Sequence, residues 1–221
     1  ENKLKIKEAF GQGPIQNFLS ELARKLKIWV IGGTIPIIIK GSNRARSACL
    51  VFNDEGQCIA RYDKIHLFDV EVNTRRYKES DQLEPGDQIV TVDTPAGRLG
   101  LAVCYDLRFP ELFRHFANRN VDFVAVPSAF TPETGKAHFE TLCKCRAIEN
   151  QMYLIAACQT GGYTDKKSYG HSMIINPWGE ILAKLGSEVS FITAEIDRDY
   201  QQEIRRNMPV FSHQKIFTTK D

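Results

Sequence analysis

The sequence predicts a layered α/β domain with a partly antiparallel sheet, and three observations carry that prediction. Short apolar runs rich in branched residues alternate with stretches of helical period. Asn53-Asp54-Glu55-Gly56 joins two such runs and is a hairpin signal. Residues 99–127 read as strand, tight connection, helix, strand. In chain order, residues 15–26 space their apolar side chains with helical period, and residues 28–31 form a strand ending at Gly32-Gly33. Residues 48–52 and 58–62 flank the hairpin turn, and 88–92, 99–103 and 123–126 are further strands. Arg108-Phe109-Pro110-Glu111 opens a helix over 110–117, with Pro in its first turn and Glu beside it. A helix over 136–150, strands at 153–157, 171–175, 181–183 and 191–196, and a helix over 198–206 complete the chain, with no repeat and no dividing linker.

Composition excludes several function classes. The 221 residues carry 29 Lys+Arg against 27 Asp+Glu, a formal charge of +2, and 43% are hydrophobic. A chain of this size buries roughly 70% of the surface its unfolded form exposes, so neither disulfide nor metal is needed for a core. Balanced charge leaves no surplus of cations to replace counterions along nucleic acid. No run approaches the roughly 20 apolar residues of a membrane span, and Glu1-Asn2-Lys3-Leu4-Lys5 lacks the pattern of a signal peptide. Six dispersed cysteines read as reduced thiols, which places the protein in the cytoplasm.

Cys104 ends the first strand of the 99–127 unit and stands just before a helix amino terminus. In open α/β sheets ligands and catalytic groups gather there. Nearby N–H groups and the positive helix end favour a thiolate, although a cysteine filling the core is the plain alternative. A cysteine nucleophile needs a proton acceptor and donors for the developing oxyanion. Lys64, leaving a strand in Arg61-Tyr62-Asp63-Lys64-Ile65-His66-Leu67-Phe68-Asp69, is a compact cation with three donors. Read alone it is equally a surface lysine. His66 reads either as the base of a Cys–His pair or as a structural histidine bonding backbone. Cys143 and Cys145, two apart in a helix, point about 200° apart and cannot share an ion. With no CxxC or HxxxH spacing beside them, no metal is expected. Gly11-Gln12-Gly13-Pro14 lacks the Lys-Ser/Thr of a phosphate loop. Arg146 and Glu149, three apart, read as a local ion pair.

Taken together, Tyr62-Asp63-Lys64-Ile65-His66-Leu67-Phe68-Asp69, then Tyr77-Lys78-Glu79-Ser80 with Pro85-Gly86-Asp87, then Gly100-Leu101-Ala102-Val103-Cys104-Tyr105-Asp106-Leu107-Arg108-Phe109-Pro110-Glu111 resemble the nitrilase (carbon-nitrogen hydrolase) superfamily. The resemblance continues in order to Phe211. It implies a four-layer α-β-β-α sandwich, homodimers paired across the helices, and a Cys-Lys-Glu triad that uses no cofactor. Cys104 falls on the nucleophile and Lys64 on the catalytic lysine. Glu79 falls on a second family glutamate that positions the lysine and the substrate. The backbone N–H of Tyr105 joins Lys64 at the oxyanion, and Phe130 and Thr131 fall either beside the pocket or in loop packing. Ser168-Tyr169-Gly170-His171-Ser172-Met173, Asn176-Pro177-Trp178-Gly179 and Met208-Pro209-Val210-Phe211 look most like the branch that hydrolyses deaminated glutathione, with the ω-amidase branch next.

The family pattern also implies a base glutamate upstream of Lys64. Glu8 does not fit it: Lys3-Leu4-Lys5-Ile6-Lys7 is too charged for a buried central strand, and the helix at 15–26 follows too closely. The expectation is a single carbon-nitrogen hydrolase domain over 1–221 without its amino-terminal strand-helix unit, on the order of 40 residues, and with an aggregation-prone sheet edge. The expected activity is hydrolysis of a small linear amide through a cysteine thioester, with deaminated glutathione the first substrate. ω-Amides or N-carbamoyl compounds come second. A catalytically inactive binding protein on the same fold is the reading from another class. The expected partners are the amide substrate and a second copy of the chain, without nucleic acid or membrane.

Overall fold

The computed structural model describes residues 3–72, 74–163 and 166–216. Among the described residues, β1 (Val30–Ile38), β2 (Ala45–Phe52) and β3 (Cys58–Asp63) form an antiparallel sheet. A six-stranded mixed sheet contains β6 (Thr91–Thr94), β7 (Gly97–Leu101), β8 (Phe123–Ala125), β9 (Tyr153–Ala156), β12 (Met173–Ile175) and β13 (Ile181–Lys184). Its order is β13-β12-β9-β8-β7-β6, and its centre, β7-β8-β9, is parallel. Two hairpins, β4 (Asp69–Val72) with β5 (Arg75–Lys78) and β10 (Thr160–Tyr163) with β11 (Lys166–Tyr169), stand outside these sheets. The helices are α1 (Pro14–Leu26), α2 (Pro110–Asn118), α3 (Pro132–Thr134), α4 (Glu140–Asn150) and α5 (Arg198–Asn207). No helix among the described residues is long and apolar enough to cross a membrane.

Strand periodicity sorts the apolar side chains into layers. Ala48, Leu50 and Phe52 of β2 pack with Ala23 of α1. Their neighbours Cys49 and Val51 turn the other way and meet Leu99 and Leu101 of β7 between the sheets. On the far side of the larger sheet, Val124, Leu154 and Ala156 pack against Phe113 and Phe116 of α2 and Cys143 and Ala147 of α4. Helix, sheet, sheet, helices is the four-layer α-β-β-α sandwich. Gly100 lets α2 approach, since a Cβ there would lie 3.0 Å from the Phe116 ring.

Four local expectations change. The strand expected at 28–31 begins at Val30 and runs on through Gly32-Gly33 to Ile38, its register with β2 shifting between Gly32 and Ile35. The strand expected at 88–92 is β6, shifted to Thr91–Thr94, because its ladder is set by β7 across the turn at Pro95-Ala96. The helix expected over 136–150 opens as a wide π turn, Gly135–Phe139, between α3 and α4. Gly135 there lies under Tyr169, whose Cγ would be 2.2 Å from an added Cβ. The strand expected at 191–196 is not one. Its residues keep an alternation of exposed and half-buried positions, and Ile196 packs on the inter-sheet core. It joins no ladder among the described strands, and pairing with a neighbour is what makes an extended segment a strand.

Candidate active site

Beyond β7 the chain turns sharply. Cys104 adopts φ +50°, a left-handed conformation uncommon for a residue with a side chain, and opens one 3-10 turn, Cys104–Arg108, that leads through Phe109 into α2. The fully buried Asp106 braces this turn. Its Oδ2 accepts the Val103 N–H at 2.7 Å and the Tyr62 hydroxyl at 2.7 Å. Its Oδ1 accepts the His66 N–H at 3.1 Å and lies 2.7 Å from His66 Nδ1. One carboxylate thus ties the Cys104 turn to the end of β3 and to the loop after Lys64. The ring of His66 stacks on Phe109 at 3.6 Å. His66 is therefore structural, but its side chain bonds a buried carboxylate where backbone was expected. From α4, Arg146 donates to the Leu107 carbonyl at 2.9 Å while pairing with Glu149 at 2.7 Å, so the local ion pair also anchors the turn.

Lys64 is fixed by its backbone: its N–H donates to Ser47 at 2.9 Å and its carbonyl accepts from Gly86 at 2.8 Å. A Cβ at Gly86 would stand 2.1 Å from the Asp63 carbonyl, so Pro85-Gly86-Asp87 is a clamp that only glycine permits. The Lys64 side chain is 3% exposed, with Nζ 2.5 Å from Glu79 Oε2. That oxygen also accepts the Phe68 N–H at 2.9 Å, and Glu79 Oε1 lies 3.3 Å from Lys3 Nζ. Burial raises the Glu79 pKa, but Lys64, Lys3 and the Phe68 N–H outweigh it and hold the carboxyl below its ordinary value.

Burial also pushes the Cys104 thiol up, and Lys64 with the Ala129 N–H lowers it without winning. The thiolate expected from the nearby helix end is thus not the resting form: removing the sulfur from water outweighs those donors. The first N–H groups of the turn, at Cys104 and Tyr105, have no acceptor within it.

A cleft of about 820 Å³ brings Cys104, Lys64, Glu79, Tyr105, Phe130 and Thr131 together. Phe130 also packs on Phe139 at 4.8 Å, and Thr131 caps α3 through the Thr134 N–H at 3.3 Å; both line the cleft while holding their loop. Arg108, whose guanidinium carbon lies 5.8 Å from the Tyr105 ring centre and 5.7 Å from that of Phe130, was not singled out in the sequence. Neither were Asp106 or the cations of β5. Among the described residues Glu79 is the one acidic side chain lining the cleft, with both oxygens held. Glu8 is committed elsewhere, accepting the Ile15 N–H at 2.6 Å and the Gln16 N–H at 3.2 Å at the start of α1. No three metal-binding side chains converge among the described residues.

The sequence profile of the carbon-nitrogen hydrolase family matches residues 3–206. Over 216 residues, 96% of this chain and 76% of the relative, the sequence is 39% identical to a deaminated glutathione amidase of Yersinia enterocolitica. It is 42% identical over 201 residues to the human omega-amidase NIT2, covering 89% of this chain and 71% of that protein. The crystal structure of Saccharomyces cerevisiae Nit3, a member of branch 10 of the nitrilase superfamily, superposes with a TM-score of 0.84 at 33% identity, over 94% of this chain and 73% of that one.

Proposed function

The chain belongs to the carbon-nitrogen hydrolase family of the nitrilase superfamily, and from that premise we propose that it hydrolyses a small anionic amide through a thioester on Cys104. The juxtaposition of Cys104 with the buried Lys64–Glu79 pair in one cleft carries this reading. The Cys104 proton passes to the base glutamate that the family pattern implies, a group other than the carboxylates described in the cleft, as Sγ bonds to the amide carbon. The carbonyl electron pair moves to oxygen, where Lys64 Nζ and the Tyr105 N–H receive it. Collapse breaks the C–N bond, the proton goes to the leaving nitrogen, and water then splits the thioester into a carboxylic acid and the free thiol. Glu79, whose carboxyl is held below its ordinary pKa, aims Lys64 through their 2.5 Å contact.

Deaminated glutathione is the first substrate proposed. The relative of that activity supports it, as does the charge of the cleft, where Lys3, Lys64, Arg75, Arg76, Lys78 and Arg108 face one acid. Arg108, near the Tyr105 and Phe130 rings and 3.3 Å from His138 Nδ1, is the residue this reading assigns to a carboxylate of the acyl half. Short ω-amides are the second choice, supported by the omega-amidase relative. The test is product release from deaminated glutathione, α-ketoglutaramate and an N-carbamoyl amino acid, with kcat/KM greatest for the first. Greatest turnover of the carbamoyl compound overturns the reading. One observation favours a non-catalytic binder on the same fold: the only acid described in the cleft is already held by Lys64. Binding of the amides without release of any product selects that alternative. Pairing of two copies across the helices is supported by Ile148 of α4 and Trp178, whose neighbour Gly179 abuts Ile148, both exposed; a monomer mass by sedimentation overturns it.

A further inference from the structure

The two amides named above share their acyl half. Attack at the side-chain amide of either leaves the same five-carbon keto acid on sulfur, so any discrimination between them must be made on the leaving-group side. There they differ plainly: one releases ammonia, the other a dipeptide that ends in a carboxylate. The cleft is also large for a short amide, since about 820 Å³ lies toward the upper end of pockets that enclose drug-sized ligands.

Its cations divide into two groups. Arg108 belongs to the wall of Tyr105 and Phe130. Arg75, Arg76 and Lys78 belong to β5, on the wall of Lys64, Phe68 and Glu79, and all three are exposed where they line the cleft. Side chains two apart on a strand share a face about 7 Å apart, and on that face Arg76 and Lys78 stand opposite the exposed acids Glu71 and Asp69 of β4, so a ligand carboxylate reaches both cations by displacing weakly held surface partners. The hairpin is rooted rather than loose. Tyr77 meets Phe68 at 5.3 Å, the Ser80 N–H donates to Asp69 at 3.0 Å, and Glu79 follows Lys78 directly. The Lys78–Asp81 pair, 3.1 Å apart and well exposed on both sides, costs little to exchange for a ligand carboxylate.

We propose that Arg76 and Lys78 form a leaving-group anion site that recognises the terminal carboxylate of a peptide-length amide and sets this chain's preference for it over short ω-amides. The inference rests on the amidase reading above and assigns its specificity to the hairpin. The experiment measures binding, so turnover is not required. The full chain carrying Cys104→Ala is titrated by calorimetry with deaminated glutathione and with the same molecule amidated at its terminal carboxylate. The free acid should bind about tenfold more tightly than the amide, the size of two exposed charged contacts. Adding Arg76→Gln and Lys78→Gln should abolish that preference, so that the two ligands bind alike. An undiminished preference in the substituted hairpin, or equal binding before substitution, overturns the site while leaving the amidase reading intact. Failure of both ligands to bind Cys104→Ala, whose cleft and hairpin are otherwise unchanged, overturns the substrate reading and the site with it.

Discussion

The Cys104 turn and the β4–β5 hairpin line the same cleft and are built in opposite ways. The turn is held by a carboxylate with no exposure and four hydrogen-bonded contacts within 3.1 Å. The hairpin presents three exposed cations on a two-stranded ribbon. Buried polar contacts in a low dielectric fix geometry and are costly to leave unmade. Exposed charges contribute little each and are screened by salt. The turn is thus suited to making one reaction geometry, the hairpin to sorting ligands that reach it.

The largest effects belong to the turn and its partner lysine. Cys104→Ala should remove hydrolysis altogether, and mass spectrometry of the unaltered chain with substrate should show an acyl adduct that the variant lacks. Lys64→Ala should lower kcat about 10²–10³-fold, the usual consequence of losing one oxyanion donor. The same change tests the thiol. Because burial raises the Cys104 pKa and Lys64 partly offsets it, iodoacetamide should alkylate slowly at neutral pH and faster as pH rises, and Lys64→Ala should move that rise to still higher pH. Glu79 gives the opposite sign. Its folded pKa is lowered, so its contribution to stability is present above the unfolded carboxyl value of about 4.3 and is lost as pH falls through the lower folded value. Acid unfolding of Glu79→Gln should show a weaker pH dependence in that window.

Smaller effects separate bracing from chemistry. Asp106→Asn keeps the shape but replaces an acceptor of several hydrogen bonds with a mixed group, leaving at least one buried donor unmatched at about 1–3 kcal/mol. The melting temperature should fall by roughly 2–10 °C, and kcat should fall while KM changes little, since Cys104 loses the brace for its left-handed φ. Tyr62→Phe removes one contact, worth about 1 kcal/mol, and should lower melting by roughly 2–4 °C. If Asp106→Asn melts like the parent chain with kcat unchanged, the turn is not held as described.

Much of the turn was legible because its groups lie in one contiguous run. A strand, a cysteine and a helix opening are all visible between Leu99 and Glu111, and Lys64 and Glu79 sit in equally short motifs. The layered α/β class was legible from short apolar runs alternating with helical stretches, whereas the four layers came with the family resemblance. Asp106 was not, because an acid after a cysteine is ordinary until Tyr62 and His66, 44 and 40 positions earlier, converge on it. The sign of the Cys104 shift was missed for a related reason: sequence shows the helix that favours the thiolate but not the burial that opposes it. The segment at 191–196 shows the converse error, since alternation is a property of one chain and a ladder is a property of two.

The hairpin supplies the smallest effect and the one that turns the comparison into a measurement. If its cations select the ligand through exposed charge, raising ionic strength from about 0.05 to 0.5 M shortens the Debye length from roughly 14 Å to 4 Å and should raise KM for a dianionic amide several-fold. The buried Lys64 is screened far less, so kcat should hold nearly constant over the same range. For a short ω-amide, whose leaving group has no carboxylate, the rise in KM should be smaller because only the acyl-side charge is screened. A fall in kcat parallel to the rise in KM would mean that the exposed hairpin and the buried turn are not energetically separate. The natural route for such coupling is the direct succession of Lys78 and Glu79, which joins the ligand-facing strand to the residue that holds Lys64.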